Sequence, residues 1–269
     1  MLARRSASLR FLVRKGSKPP ANIAAEVVSG SYDDDEALGR AMAGIDVAFV
    51  VSASASPGMR AELHARAFRT AKRAGARHVV YLSLQGRSPE SPYPFARDHW
   101  QSEESLRASG IPHTILRNGK YTEQLLAAEL RGSDGVIHGP TQGGAIAWIS
   151  RRDSARVIAS VLESPPGGVV SYTGPEAVSV QHAVARLARA LGAPLHFVGE
   201  PSEVARARVL AKAEARWQGD LAEGTYRAIS AGEYSQLHDA SRWLTGDHGV
   251  ERLEDTARRG ALDELWRAS

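Results

Sequence analysis

Hydrophobic positions in the first half of the chain alternate between short continuous runs and stretches with helical spacing. Leu9-Arg10-Phe11-Leu12-Val13 opens a strand over 9–14, after eight residues that resemble the tail of a helix. A loop with Gly16, Pro19 and Pro20 leads to a second short strand at 25–29. Asp33-Asp34-Asp35-Glu36 starts a helix, placing acids where the helix dipole favours them, and Leu38, Met42 and Ile45 supply its apolar side. Val47 to Ser52 is an uninterrupted apolar strand. A long helix is expected over about 58–74, with Leu63, Ala67, Phe68 and Ala71 at helical spacing and Gly75 as its cap. His78 to Leu84 reads as the next strand, followed by a Ser/Pro-rich loop over 86–94.

The stretch Phe95–Tyr121 holds a helix, a turn, a strand and a polar corner. Ser109-Gly110 stops the helix, because glycine takes the left-handed C′ conformation without a Cβ clash. Pro112 prevents a restart, and His113 to Arg117 suits a buried parallel strand. Runs buried on both faces and joined by helices predict an α/β fold with a doubly wound, Rossmann-like parallel sheet. In such sheets ligands sit beyond the carboxyl ends of the strands, so Arg117 to Tyr121 are site candidates by position.

Beyond Tyr121 the pattern loosens. Residues 132–149 hold five glycines around short apolar pieces. A helix follows from Asp153 to Leu162, then a strand at 169–173, a helix at 181–191 and a strand at 195–198, with helical, amphipathic sequence after it. This predicts an NAD(P)-binding core over 1–125, to which 150–174 return. A small α+β substrate lobe is expected from 126–149 and 175–269.

The whole chain has 269 residues, 43% hydrophobic and 24% charged, ordinary proportions for a globular protein. No apolar run approaches the roughly 18 residues of a spanning helix. Without cysteine, thiolate nucleophiles and zinc–cysteine sites are excluded. The net charge is only +4, and the cations, nearly all Arg, are scattered without interleaved aromatics. That argues against a nucleic-acid surface. His182, His196 and His238 lack metal-ligand spacing, so no metal is expected. The acid-free start before Glu26 would also suit a mitochondrial transit peptide. The strand inside it favours the structural reading, and the expected compartment is the cytoplasm, with no membrane or nucleic-acid partner. Homo-oligomerisation is left open.

A dinucleotide-binding unit normally begins strand, glycine-rich turn, helix, so that backbone amides reach the pyrophosphate. Those parts need about 20 residues or more before the second strand, and the strand at Leu9 has eight. No G-x-G-x-x-G or G-x-x-G-x-x-G run occurs. The first strand and phosphate loop of that unit are therefore expected to be absent, either because the chain starts upstream of Met1 or because the cradle has been lost.

Asp98-His99, Glu103, Leu106, Ser109-Gly110, Thr114-Ile115-Leu116-Arg117-Asn118-Gly119 and Tyr121 form the pattern D-H-x-x-x-E-x-x-L-x-x-S-G…T-x-L-R-N-G-x-Y. Ser150-Arg151-Arg152-Asp153, Tyr172-Thr173-Gly174-Pro175-Glu176-Ala177, Ala231-Gly232-Glu233 and Leu244-Thr245-Gly246 follow in order. By these blocks, from about Leu2 to Leu265, the chain resembles the NmrA-like atypical short-chain dehydrogenases and, within them, the type-2 NAD(P)H:quinone oxidoreductases. The resemblance implies hydride delivery from NAD(P)H to a quinone or similar small carbonyl acceptor. A non-catalytic NAD(P) sensor, or an inactive truncated form, is the alternative.

It also implies roles for residues. Arg14, helped by Lys15 and Lys18, would pair with the 2′-phosphate of NADP(H), which is preferred while NAD(H) stays open, since no acid stands there to read a free ribose. Ser31 and Tyr32 would flank the adenine. Ser52, Ala53 and Ser83 end strands where ribose and nicotinamide pass. His99 would donate a proton or bind the nicotinamide ribose, and Glu103, one turn later, would orient it. Asn118 and Tyr121 would hydrogen-bond substrate or the nicotinamide amide. The Tyr-x-x-x-Lys pair of ordinary short-chain dehydrogenases is missing; Tyr93 with Arg97 is the nearest case.

Overall fold

The structure is a computed structural model that describes residues 8–19, 23–126, 134–244 and 249–259. The helix tail expected at the start of the chain and the Thr245-Gly246 block fall almost wholly outside these residues. The chain divides into two compact units. One comprises Met1–Ser83, Asp98–Leu116 and Ile158–Val170, and the other Leu84–Arg97, Arg117–Val157 and Ser171–Ser269.

In the first unit, strands β1 (Arg10–Val13) and β2 (Glu26–Ser29) pair in parallel, Arg10 opposite Glu26. Their side chains also meet, Arg10 Nε donating to Glu26 at 2.7 Å. The sequence predicts a loop between them and no helix. Among the described residues the link between β1 and β2 contains no helix. Helix α1 (Asp35–Met42) is capped by Asp34, whose side chain accepts from Ala37 N. It buries Ala37, Leu38, Ala41 and Met42.

Strand β3 (Val47–Val50), helix α2 (Met59–Arg73), strand β4 (His78–Leu84), helix α3 (Pro94–Ser109), strand β5 (His113–Asn118), helix α4 (Arg151–Glu163) and strand β8 (Gly168–Tyr172) continue the α/β pattern. The sheet order is β3-β4-β5-β8, with β3 and β4 parallel. Between β4 and β5, Val79 N bonds Pro112 O and Gln85 N bonds Asn118 O, so both strands run the same way. Helix α3 ends at Ser109, and Gly110 follows at φ +67°, as the Ser-Gly stop requires. The core of this unit gathers Leu38, Val50, Phe68, Val79, Tyr81, Leu106 and Ile115.

Strands β1 to β5 and β8 thus form two of the four sheets of the described residues, β1-β2 and β3-β4-β5-β8. Among the described residues β1 and β3 are not paired with one another. Each of those strands keeps one edge of N–H and C=O groups without a ladder partner among the described residues.

The second unit has its own core of Leu125, Ile137, Ile146, Trp148, Val184, Leu187, Ile229 and Tyr234. Strand β6 (Val136–Pro140) pairs in parallel with β10 (His196–Glu200), and β7 (Ala145–Ala147) antiparallel with β9 (Ala177–Ser179). Helix α5 (Val180–Leu191) is tied to α8 (Leu253–Arg258) by Arg186, whose guanidinium spans Glu176 at 2.6 Å and Glu254 at 2.5 Å. Helix α6 (Ser202–Leu210) buries only Ala205, so the amphipathic pattern expected there is not realised, whereas α7 (Arg216–Ser230) buries Tyr226, Ala228 and Ile229. Among the described residues no helix is long and apolar enough to cross a membrane.

Candidate functional site

Ser52 and Ala53 leave the end of β3 and meet a polar cluster inside the first unit. The backbone N–H of Ala53 donates to His64 Nε2 at 2.8 Å, and its carbonyl accepts from Arg60 Nε at 3.1 Å. Ser52 Oγ accepts from Arg60 Nη2 and lies 3.3 Å from His99 Nε2. Tyr81, from the middle of β4, places its hydroxyl 2.8 Å from His99 Nδ1 and 3.2 Å from His64 Nδ1. Ser102 Oγ lies 2.8 Å from the same His64 nitrogen and donates to Asp98 O at 2.7 Å. Four strand and helix elements therefore converge on one hydrogen-bonded group, and Tyr81, His64 and Ser102 are buried within it.

Burial sets the protonation of this cluster. It pushes His64 down to about 3, with the nearby Arg60 charge adding to the effect, so its imidazole is neutral near pH 7. Burial pushes the Tyr81 phenol well above its usual range, so Tyr81 keeps its proton.

The other strand ends are occupied differently. Ser83 Oγ donates to Glu103 Oε1 at 2.7 Å, and Glu103 also takes Arg107 at 2.9 Å. Tyr81 and Ser52 hold the His99 imidazole, one turn before Glu103 on the same helix. Ser31 donates to Asp33, holding that carboxyl below its usual range. Tyr32 donates to Val51 O at 3.2 Å, and burial pushes its phenol up to about 12. Arg14, Lys15 and Lys18 stand exposed on the loop after β1.

In the second unit, Asn118 is buried and its Nδ2 donates to Gly119 O at 2.8 Å. Tyr121 Oη is 3.5 Å from Ser154 Oγ, the Arg151 guanidinium covers its ring at 5.2 Å, and burial raises its phenol. A phenol kept protonated is a standing hydrogen-bond donor. Arg97 Nη1 donates to Ser91 O at 2.6 Å, and the Tyr93 ring packs on Phe95.

Two rings of the polar cluster escaped the sequence reading. His64 takes the fully buried slot of α2 while Leu63, the expected core position, is half-buried. Its spacing to Ala67, Phe68 and Ala71 was the available signal. Tyr81 lies inside an apolar strand run and gave none. Lys120 sits between the rings of Tyr93 and Tyr234, 4.5 and 4.6 Å from their centres. Burial pushes it down to about 8 against the pull of Glu233. It is one of five lysines in the chain and directly follows Asn-Gly at the strand end that made it a candidate by position.

As a cradle for a dinucleotide these residues fit in part. The β3 end offers a serine hydroxyl in a built polar setting, and the loop after β1 offers exposed cations for a phosphate. Among the described residues no glycine-rich turn joins a strand to a helix where a pyrophosphate would sit. Nor does any group of three His, Asp or Glu side chains among them gather as a metal site.

A sequence model of the NAD(P)H-binding family matches residues 1–165. A (4-alkanoyl-5-oxo-2,5-dihydrofuran-3-yl)methyl phosphate reductase of Streptomyces griseus is 32% identical over 70% of the chain and 66% of its own length. Quinone oxidoreductase 2 of Escherichia coli is 33% identical over 67% of the chain and 64% of its own length. The match thus spans slightly less than two-thirds of either curated relative. The structure of an NADPH-dependent quinone oxidoreductase from Escherichia coli, complexed with NADPH, superposes with a TM-score of 0.75. It is 27% identical and covers 88% of this chain and 84% of that one. A solved NmrA, described as a negative transcriptional regulator in complex with NAD, gives 0.70 at 19% identity over 91% of this chain and 83% of its own, a likeness of fold alone.

Proposed function

We propose a reductase: the chain belongs to the NAD(P)H-binding family, and its built polar cluster sits where β3 ends. The reaction we assign is reduction of a quinone or similar small electrophilic carbonyl compound, with NADP(H) preferred over NAD(H). The single observation that carries this reading is the Ser52–His99 pair at the strand end, oriented by buried partners. The named activities of the two curated reductases support it. When bound, the nicotinamide cofactor supplies the hydride.

The chain's own residues take the remaining roles. Arg14 and Lys18 would pair with the 2′-phosphate, Ser31 and Tyr32 would flank the adenine, and Ser52, Ala53, Ser83 and His99 would face ribose and nicotinamide. In this reading Ser83 is the least available, because its proton is committed to Glu103. Asn118 and Tyr121 would recognise the acceptor, Tyr121 as a protonated donor. Little acid catalysis is required, since a hydroquinone oxyanion is a relatively stable product and positioning donor and acceptor is most of the task.

The fold likeness to an NmrA, described as a negative transcriptional regulator in complex with NAD, favours a second reading, a dinucleotide sensor without turnover. Loss of reduced-nicotinamide absorbance with p-benzoquinone as acceptor decides between them. Turnover that is faster with NADPH than with NADH is expected. Cofactor binding with no turnover of any quinone offered would overturn the reductase reading and leave the sensor.

A further inference from the structure

We propose that Tyr81, His64 and Arg60 are positioning residues that lock Ser52 Oγ as an outward hydrogen-bond donor. In this arrangement the site recognises an acceptor oxygen, a ribose hydroxyl or carboxamide carbonyl, of a bound nicotinamide nucleotide. The ligand class rests on the reductase reading; the proton arrangement does not.

The argument follows the protons. A backbone N–H can only donate, so His64 Nε2, 2.8 Å from Ala53 N, is the bare nitrogen of that ring. The imidazole is neutral, so its one proton is on Nδ1. That proton lies between Ser102 Oγ at 2.8 Å and Tyr81 Oη at 3.2 Å. Ser102 has already given its own proton to the Asp98 carbonyl, which can only accept. Tyr81 Oη, facing a donor on the His64 side, directs its single proton to His99 Nδ1 at 2.8 Å. His99 in its neutral form then carries its proton on Nε2, directed at Ser52 Oγ.

Arg60 also donates to Ser52 Oγ, and a guanidinium never accepts. Two donors use the two lone pairs of this hydroxyl, and its own proton is left to donate elsewhere. The direction of the whole chain is fixed at its far end by a backbone amide that cannot reverse. All of these groups belong to the first unit, within residues 52–102.

Long-range proton–nitrogen NMR on histidine-labelled protein, without cofactor and near neutral pH, reads the tautomers directly. The expected result is Nδ1–H on His64 and Nε2–H on His99. Tyr81→Phe should shift His99 toward a mixture of tautomers while His64 keeps Nδ1–H through Ser102. A His99 carrying Nδ1–H in the unmodified protein, or a tautomer unmoved by Tyr81→Phe, would overturn the relay.

NADPH titration by fluorescence tests the ligand class. Ser52→Ala should weaken binding about tenfold, the effect of one well-placed hydrogen bond, and Tyr81→Phe by a smaller factor in the same direction. Unchanged NADPH affinity in Ser52→Ala would overturn the assignment of Ser52 as its donor. Failure of the unmodified protein to bind NADPH at all would instead sink the reductase reading and the ligand class with it. The tautomers judge the relay in either case.

Discussion

The buried imidazole of His64 makes the first unit acid-sensitive in a way that one substitution isolates. His64 is fully buried and is held down to about 3, whereas in the unfolded chain it titrates near its ordinary 6.5. Between those values the unfolded state binds a proton that the folded state refuses. Stability therefore rises with pH across this window. Its full value is reached above 6.5 and is lost as the pH falls through the window toward 3.

A tenfold difference in proton affinity between the two states is worth about 1.4 kcal/mol. Lowering the pH from neutral to about 4 should then cost roughly 3 kcal/mol through this group alone. The carboxylates of the chain also titrate there, so the measurement must be a difference. His64→Gln keeps an oxygen that can accept from Ala53 N–H and cannot take a proton in this range. At neutral pH it should be the less stable protein by about 1 kcal/mol, for the imperfect replacement of a buried hydrogen-bond set. Urea unfolding followed by circular dichroism, at several pH values from 7 to 4, gives the gap between the two proteins. That gap should close, then reverse, by roughly 3 kcal/mol in total. A constant gap across the series would show that His64 titrates normally in the folded protein. The burial argument would then be wrong, and with it the premise that its ring is neutral near pH 4.

Three further outcomes follow from other sites. Lys120, held near 8 by burial, should make the folded protein gain stability as pH rises from about 8 to 10.5, because the unfolded lysine keeps its proton longer. Relative to Lys120→Met, the gain should be about 2 kcal/mol by pH 10, with the two tyrosine faces offsetting part of the burial cost; parallel pH profiles of the two proteins would refute it. Gly174→Ala should cost about 3 kcal/mol or more in thermal or urea unfolding, because its Cβ would lie 1.6 Å from the Trp148 carbonyl oxygen. Gly143→Ala, which meets nothing within 4 Å, is the control, and equal effects would dismiss the steric account. Hydrogen exchange should be fast at the β1 and β3 amides that face away from β2 and β4, and slow at β4 amides bonded to β5; uniform protection across β1, β3 and β4 would show that those edges are covered.

Much of this protein was legible in residue order alone. Apolar runs separated by helical spacing located β1 to β5 and their helices, since strand and helix periods differ and each must bury a face. Ser109-Gly110 marked a helix end because only backbone geometry is at stake there. The family blocks around Asp98–Tyr121 pointed to the chemistry.

What the sequence did not hold was the partnership of side chains. His64, Tyr81 and His99 lie on three elements, and nothing in their spacing says that their nitrogens and hydroxyl meet within 3.2 Å. Glu103 sits one turn from His99, and spacing along the helix gave no sign that the folded chain brings Ser83 to it from another element. Local sequence sets which way a backbone can turn, because sterics act between neighbours. Proton positions and pKa values depend on burial and on donors brought from distant segments, and those exist only once the chain has folded.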